Sequence, residues 1–425
     1  MKMTEDFLYY LWSLKLLQGE LVTTDQQKIT IIHPGQRNYD SGPDFFNSRI
    51  KIGGTEWAGN VEMHVASSDW IKHGHQADRA YDSVILHVVY DADMPIINSH
   101  NEEIPTLMVK GHFPEAILYR YQRLLGAREW IPCATNLKQV SDLVIYSWLD
   151  RVLVDRLQRK TDFILQILND THNDWQEAFY ISLARSFGFS TNNQPFEQLA
   201  RVLPLKIVGK HSDSLFQVEA LLYGQAGLLN PRIKDGYLQD LIQEYQFLAS
   251  KYQLKSVQSW AWKFMRMRPV NFPTIRISQF AKLITKDGHL LSKVIEVEKL
   301  QQLKALFEVE VSEYWLSHYS FGKPSKAKSK SFGADSFDLI LINTIVPFLY
   351  LYGLHQNDPS ISDRALVYLQ QTKPENNGIV RRWSTSGVKV NNAAQSQALL
   401  TLKNDYCNNI KCLECAIGNA ILNPK

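Results

Sequence analysis

The sequence predicts an α+β protein in which a small N-terminal domain, at 1–125, combines a mixed β-sheet with flanking helices and precedes a large, mainly α-helical region at 140–425. The chain has 425 residues, whereas single domains usually stop growing at roughly 250–300 residues. Hydrophobic residues make up 45% and charged residues 21% of the sequence, which is typical of a globular protein. The hydrophobic period changes from that of strands to that of helices near residue 140.

The first 125 residues combine an initial helix with short strands. Apolar residues at helical spacing predict the helix over 4–17. Runs rich in Val and Ile, separated by Pro, Gly, Asn and Asp, predict the strands. They are expected at 28–32, 48–52, 59–65 and 84–90, with a short one near 106–109. Gly53-Gly54 predicts a hairpin, and Ser67-Ser68-Asp69 predicts the start of a short helix that contains Trp70, His73 and Ala77.

The remainder of the chain has helical periodicity. Helices are expected at 143–168, 175–187, 196–203, 214–223, 237–252, 300–308, 339–352 and 394–402. The segment 339–351 is the most apolar, but Asn343 and Pro347 interrupt it before the ~18 residues that a membrane span needs. We therefore expect a buried helix there and no membrane partner. The segment 322–333 is rich in Lys and Ser, which is typical of a polar, basic surface loop.

The N-terminus and the net charge bear on location and partners. The first residues lack the basic start and the small-residue cleavage site of a secretory signal, so a cytoplasmic location is expected. The formal net charge of +3 permits a nucleic-acid partner without requiring one.

Titratable residues are concentrated near the N-terminus. Seven of the 12 histidines lie within the first 112 residues, together with many carboxylates, which is where acid/base or metal chemistry is expected. The alternation of the third long strand places Val61, Met63 and Val65 on its core face. Glu62 and His64 then share the other face, ~6.6 Å apart along the strand.

The Gly53-Gly54 hairpin returns the chain so that Asp44 is level with Glu62 and His64. A two-residue loop pairs Asp44 with Met63, a loop one residue longer pairs it with His64, and a bulge corrects either register. The sequence thus predicts that Asp44 lies at the same height along the hairpin as Glu62 and His64, but not on which face of the sheet its side chain lies. Two carboxylates with a third polar group suit Mg²⁺ or Mn²⁺, and His64 would orient the attacking water or stabilise developing charge. Alternatively, Asp44 only caps a turn while Glu62 and His64 face solvent.

Pro43-Asp44, a hairpin and Glu62-x-His64 resemble the motif of the PD-(D/E)xK nuclease superfamily. The resemblance implies a restriction-endonuclease-like N-terminal domain, a metal-dependent nuclease with Asp44, Glu62 and His64 as catalytic residues, and a nucleic-acid partner, DNA more than RNA. His64 stands where lysine is usual, and histidine is shorter and largely neutral at pH 7. A catalytically inactive nucleic-acid-binding or scaffold protein with a structural metal site is therefore the alternative.

Three further histidines offer another chemistry. His73, His75 and His87 are close in sequence to this motif, and they suit a zinc hydrolase acting on another substrate. His87 lies inside an apolar run, which is also typical of a core histidine.

Nearly the whole chain resembles an uncharacterised bacterial family, the domain of unknown function (2851). The resemblance is carried by residues 42–44, 59–64, 68–70 and 268–273 and by the C-terminal cysteines. It implies that the two parts belong together and supplies no activity.

The four cysteines predict a second metal site. Cys407, Cys412 and Cys415 fall within nine residues, and Cys133 lies at the junction between the two parts. Four thiolates complete a zinc site or bind a four-iron four-sulfur cluster. The loose resemblance to iron–sulfur nucleases, whose cysteines flank the catalytic core, points the same way. The alternative is that all four are ordinary reduced thiols.

Basic residues in the helical region predict a phosphate-binding surface. They are Lys263, Arg266, Arg268 and Arg276, which are interleaved with aromatic residues that include Trp260 and Trp262, and Lys326, Lys328 and Lys330 in the basic loop. The alternative is that the tryptophans belong to the core and the lysines to a solvated face.

Overall fold

A computed structural model describes residues 3–255, 261–286 and 288–424. The chain forms two compact units: unit 1 is Met1–Trp148 with Leu402–Lys425, and unit 2 is Leu149–Thr401. The predicted boundary at 125–140 assigned the C-terminus to the helical region, but the last residues belong to unit 1. Hydrogen bonds hold them there, from Arg120 Nη1 to the Leu422 carbonyl oxygen (3.0 Å) and from the Tyr10 hydroxyl to Asn419 Oδ1 (2.7 Å).

Unit 1 contains a seven-stranded mixed sheet in the order β1-β2-β4-β5-β6-β7, with β3 paired to β4. The strands are β1 (Leu21–Val22), β2 (Lys28–His33), β3 (Gln36–Arg37), β4 (Phe45–Ile52), β5 (Thr55–Ala66), β6 (Val84–Asp91) and β7 (Thr106–Met108). The pairs β5–β6 and β6–β7 are parallel and the others are antiparallel. The predicted mixed sheet is confirmed.

A β-bulge in β4 sets the register of the central hairpin. Beyond the Gly53-Gly54 turn the pairs run regularly as far as Ser48↔Gly59, and then shift so that Phe45 faces Val61. Two residues of β4 thus oppose one of β5, and Asn47 within the bulge has a positive φ of 54°. The bulge places the residue before β4, Asp44, beside Glu62 rather than Met63.

Substitution of Asn47 should reveal how firmly this register is held. A β-branched residue rarely adopts a positive φ, so we expect Asn47→Val to lower the free energy of unfolding by about 1–3 kcal/mol. Asn47→Gly should retain the stability of the natural protein within about 1 kcal/mol, because glycine adopts this conformation freely. Urea unfolding of the three proteins tests this, and equal midpoints for Val and Gly would contradict it.

The first helix, α1 (Glu5–Ser13), packs on the sheet. Thr4 caps it, and Phe7, Leu8, Leu11 and Trp12 are buried. The helix ends earlier than predicted, since Lys15 has a positive φ of 50°. Its Tyr9 lies one turn after Glu5, so the two share a face of the helix.

The connection from β5 to β6 is shorter and more broken than the predicted helix. It consists of α2 (Asp69–Lys72), the left-handed Gly74 with a φ of 79°, and the 3₁₀ turns His75–Ala77 and Arg79–Tyr81. The break at Gly74 separates His73 from His75.

The rest of the described chain is mainly helical, as predicted. Unit 1 also contains α3 (Glu115–Leu125) and α19 (Ala416–Leu422), and α4 (Asp142–Asp170) runs from unit 1 into unit 2. Unit 2 contains α5 (Trp175–Phe187), α6 (Phe189–Val202), α7 (Leu205–Val208), α8 (Leu215–Gln225), α9 (Gly236–Tyr252), α10 (Pro273–Lys286), α11 (Leu290–Glu296), α12 (Leu300–Leu306), α13 (Glu313–Leu316), α14 (Ala334–Ile340), α15 (Val346–Gln356), α16 (Pro359–Gln371), α17 (Gly378–Thr385) and α18 (Ala393–Thr401). Its two short strands, β8 (His318–Ser320) and β9 (Lys323–Pro324), pair with each other.

One helical stretch, Ala334–Gln356, is long and apolar enough to span a membrane. It joins α14 to α15 through a π-helical turn at Leu341–Ile345. Because 67% of its most apolar window is buried inside the protein, it is a core helix of the kind found in soluble proteins, in agreement with the prediction of a buried helix.

Candidate metal centre

Asp44 and Glu62 interlock across the bulged end of the β4–β5 hairpin. The backbone N–H of Asp44 donates to Glu62 Oε2 (3.0 Å), and Asp44 Oδ2 accepts from the backbone N–H of Met63 (2.9 Å). Glu62 is only 5% exposed. The sequence predicted the level of the two acids, and the bulge places Asp44 beside Glu62, so that each carboxylate accepts a backbone N–H from the other residue or its neighbour.

The environment of the two carboxylates favours their protonated forms. Burial, reinforced by the negative charge of Asp44, raises the pKa of Glu62 to about 9. Burial also raises the pKa of Asp44, although hydrogen bonds from the Met63 N–H and the Tyr9 hydroxyl oppose the rise. Without a bound cation, Glu62 therefore holds a proton at neutral pH.

Two histidines lie against Glu62, and a third lies against one of them. His64 Nε2 lies 3.0 Å from His73 Nδ1 and 3.6 Å from Glu62 Oε1, and His75 Nε2 lies 3.4 Å from the same carboxylate oxygen. Ligand atoms of the three imidazoles all lie within 4.8 Å of one another, and no other such His, Cys, Asp or Glu group occurs in the described part of the chain. Metal–ligand bonds of about 2.1 Å place neighbouring ligand atoms about 3.0–3.5 Å apart, so the three imidazoles suit one shared ion, in a group that does not include Asp44 or Glu62.

His87 supports His64 from behind. The parallel register pairs Glu62 with His87 on β6, and His87 Nε2 lies 2.8 Å from His64 Nδ1. If His64 Nδ1–H donates to His87, the Nε2 lone pair of His64 faces the other ligands, because a hydrogen bond to one ring nitrogen of a metal-binding histidine orients the other nitrogen. His87 is fully buried, and its Nδ1 has no hydrogen-bond partner among the described residues.

The imidazoles of His64, His75 and His87 are neutral at physiological pH. Burial lowers the pKa of His64 to about 3, with further lowering by His87, His73 and His75. Burial likewise lowers the pKa of His75 to about 4 and that of His87 to about 3. Neutral His64 suits the role of a metal ligand, but it does not supply the positive charge of a lysine.

Tyr9 is a site residue that the sequence analysis missed. Its hydroxyl hydrogen-bonds to Asp44, and burial together with the charges of Asp44 and Glu5 raises the pKa of the phenol. The burial of Glu5, on the same face of α1, raises the pKa of its carboxyl, and Asp44 adds to the rise. The available signal was the i, i+4 spacing of Glu5 and Tyr9 beside the apolar stripe of the helix.

The structure brings all four cysteines into unit 1. None of them forms a disulfide, and Cys133, Cys412 and Cys415 are buried. Thiolate charges at Cys133, Cys415 and Cys412 add to the effect of burial in raising the pKa of Cys407. The other three cysteines therefore lie close enough to Cys407 for their charges to affect it.

The predicted basic surface divides into exposed and buried members. Lys263, Arg266, Arg268, Lys326 and Lys328 are exposed, whereas Trp260 lies outside the described residues. Trp262 belongs to the core.

Arg276 and Lys330 do not belong to an exposed surface. Arg276 is 6% exposed and donates to Gln279, Asn271 and Ser336. Lys330 is 3% exposed and its Nζ donates to the Leu316 carbonyl oxygen at 2.7 Å. Both cations are buried in unit 2. Because Lys330 belongs to the segment 322–333, only part of that segment is the surface loop that its composition predicted.

Comparison with known proteins identifies a family. Neither the curated proteins nor the solved structures gave a match to this chain. A family model described as "Protein of unknown function (DUF2851)" matches residues 5–378. The match extends over the sheet, the carboxylate–histidine centre and most of the helical unit, and the chain therefore belongs to the DUF2851 family.

Proposed function

We propose that the protein is a metal-dependent phosphodiesterase acting on nucleic acid, with Asp44 and Glu62 as ligands of Mg²⁺ or Mn²⁺. The observation that carries the proposal is the interlocked carboxylate pair, whose inner member, Glu62, is buried against the neutral imidazoles of His64 and His75. A buried carboxylate without a cationic partner is costly unless it is protonated. A divalent cation offsets this cost and provides a reason for both acids to be there.

The ligand set favours Mn²⁺ over Mg²⁺. Imidazole nitrogen suits transition metals, whereas Mg²⁺ prefers oxygen ligands and retains water. Asp44 and Glu62 would hold the cation, and His64, oriented by His87, would complete its ligands or orient the attacking water. A cation bound here supplies polarisation of the phosphodiester and a lowered pKa for its water. The exposed His73, whose Nδ1 lies 3.0 Å from His64 Nε2, would serve as a base at the edge of this site.

The order of elements also supports the proposal. A helix, the β4–β5 hairpin that carries both acids, the short α2 and the parallel β6 follow the order of a restriction-endonuclease-like core. Five exposed basic residues in unit 2 offer phosphate contacts, which carry no base specificity by themselves. We place the protein in the cytoplasm and expect DNA more than RNA as the substrate.

A cleavage assay tests the proposed function. The natural protein, freed of metal with EDTA, is incubated with single- and double-stranded DNA and RNA and with Mg²⁺, Mn²⁺, Zn²⁺ or Ca²⁺. We expect cleavage with Mn²⁺, weaker cleavage with Mg²⁺, and none in EDTA.

The other outcomes assign the alternatives. Binding of the same nucleic acids without cleavage under any ion contradicts the proposal and supports an inactive binding or scaffold protein. The His64, His73 and His75 group specifically favours a zinc hydrolase as the second candidate. Zinc-dependent hydrolysis of a chromogenic ester, with nucleic acids left intact, would identify that activity.

A further inference from the structure

All four cysteines of the chain meet in unit 1, although the whole of unit 2 lies between Cys133 and Cys407 in the sequence. Lys403 Nζ donates to the carbonyl oxygen of Trp130 (2.7 Å), which joins the segment before Cys133 to the segment before Cys407. The hydrogen bond from Arg120 to Leu422 holds the end of the same C-terminal segment. Contacts between residues far apart in the sequence therefore hold these two segments together.

The backbone around the three C-terminal cysteines departs from regular α-helix. A π-helical turn, Leu402–Cys407, ends at the first of them, and a 3₁₀ turn begins at Cys412. A Cβ added at Gly418 would lie 2.1 Å from the Cys412 carbonyl oxygen, so only glycine lets α19 approach this turn so closely. Single π-helical turns frequently occur at functional sites.

The backbone N–H groups of Gly418 and Ile417 are directed at the sulfur of Cys415. The indole Nε1 of Trp148, beside this sulfur, is buried and has no hydrogen-bond partner among the described residues. Donors directed at a cysteine sulfur tune thiolates that bind metal.

The four thiols also lie near one another. Cys133 is within electrostatic range of Cys415 and Cys412, and Cys407 is within range of all three of the others. The four cysteines therefore form one cluster in unit 1.

The sulfurs are not all as close together as a tetrahedral zinc site requires. Zn–S bonds of about 2.3 Å place the sulfurs of a tetrahedral zinc site about 3.8 Å apart. Within the described residues no three cysteine sulfurs lie within 4.8 Å of one another. An iron–sulfur cluster bridges wider spacings, because each cysteine binds a different iron at the outside of the cluster.

We propose that Cys133, Cys407, Cys412 and Cys415 bind a four-iron four-sulfur cluster that fastens the C-terminal segment to the sheet-containing unit. This site is separate from Asp44 and Glu62 and does not depend on the proposed function. Its role in this proposal is structural, and the assignment involves no electron transfer.

Metal analysis of the full-length protein tests the assignment. The protein is purified without oxygen, and iron, acid-labile sulfide and zinc are measured alongside its visible absorption. We expect close to four irons and four sulfides per chain, with a broad visible band that dithionite bleaches. One zinc per chain without sulfide, or no bound metal after anaerobic reconstitution with ferrous iron and sulfide, overturns the assignment.

Variants locate the cluster. We expect Cys133→Ser and Cys412→Ser each to lose at least half of the iron and to lower the melting temperature. Glu414→Gln, which removes an exposed carboxylate between two of the cysteines, should retain both. Equal iron in all the variants overturns the assignment of the ligands. Glu62→Gln should keep its full iron content, so failure of the proposed cleavage activity and failure of the cluster are told apart.

Discussion

Glu62→Gln should lower metal-dependent cleavage by roughly 10³-fold or more while the protein remains folded. The loss follows because a metal ion contributes several kcal/mol of charge stabilisation, and each ~1.4 kcal/mol corresponds to a tenfold change in rate. The fold should survive because burial and Asp44 raise the pKa of Glu62 to about 9. The metal-free protein thus already holds a neutral carboxyl, which glutamine mimics in size and hydrogen bonding.

Two companion variants sharpen this experiment. Asp44→Asn keeps an oxygen for the Met63 N–H but removes the second anionic ligand, so it should lose a comparable share of activity. Glu56→Gln is the matched control: Glu56 lies on the same strand but is exposed and pairs with Arg49. We expect the control to cleave at the natural rate. Cleavage by Glu62→Gln within tenfold of the natural rate would show that Glu62 is not a metal ligand of the reaction.

The strands around the site follow directly from local sequence. Alternating and β-branched residues predicted β4, β5 and β6, and Gly53-Gly54 predicted the turn that joins the first two. The pairing of Glu62 with His64 on one face followed from the period of two residues. These features depend on neighbours in the sequence, so periodicity and turn chemistry reveal them.

The register of Asp44 and the convergence of the histidines depend on backbone conformations that composition does not specify. The bulge depends on a left-handed Asn47, and residues other than glycine adopt that conformation only when the surrounding structure holds them in it. The left-handed Gly74 breaks the expected helix and gives His75 a different direction from His73. A regular helix through both residues would have separated them around its circumference.

Local sequence patterns could not predict the contacts between segments that are far apart in the sequence. The return of residues 402–425 to unit 1 relies on partners such as Tyr10 and Arg120, far away in the sequence. The basic residues show the same limit: Arg276 lies near exposed cations in the sequence but is buried among amide and hydroxyl partners. Charge in a sequence indicates solubility and partners, whereas burial decides which cations face them.

In the absence of metal, stability should be greatest near pH 6.5–7 and fall on both sides. On the acid side, the lowered pKa values of His64 and His87, each about 3, keep both imidazoles neutral in the folded protein. The unfolded chain binds protons at these residues below about pH 6.5. Stability therefore falls with falling pH, by up to ~1.4 kcal/mol per pH unit for each proton.

On the alkaline side stability falls with rising pH instead, and Glu62 is the cause. Its pKa of about 9 in the folded protein means that the folded state holds a proton that the unfolded chain releases above about pH 4.5. The contribution of Glu62 to the free energy of unfolding is complete below pH 4.5 and is lost as the pH rises towards 9. Above pH 6.5 the histidines no longer oppose it, and stability should fall by up to ~1.4 kcal/mol per pH unit.

The Glu62→Gln variant should distinguish the loss of stability at low pH (the acid limb) from the loss of stability at high pH (the alkaline limb). Urea unfolding in EDTA at pH 5.5, 6.5, 7.5 and 8.5 should show the acid limb in the variant and in the natural protein, but the alkaline limb only in the natural protein and in Glu56→Gln. Parallel profiles for all three proteins would mean that Glu62 is ionised in the metal-free fold. Saturating Mn²⁺ should also remove the alkaline limb of the natural protein, because a cation that displaces the proton of Glu62 leaves it ionised in both the folded and the unfolded state.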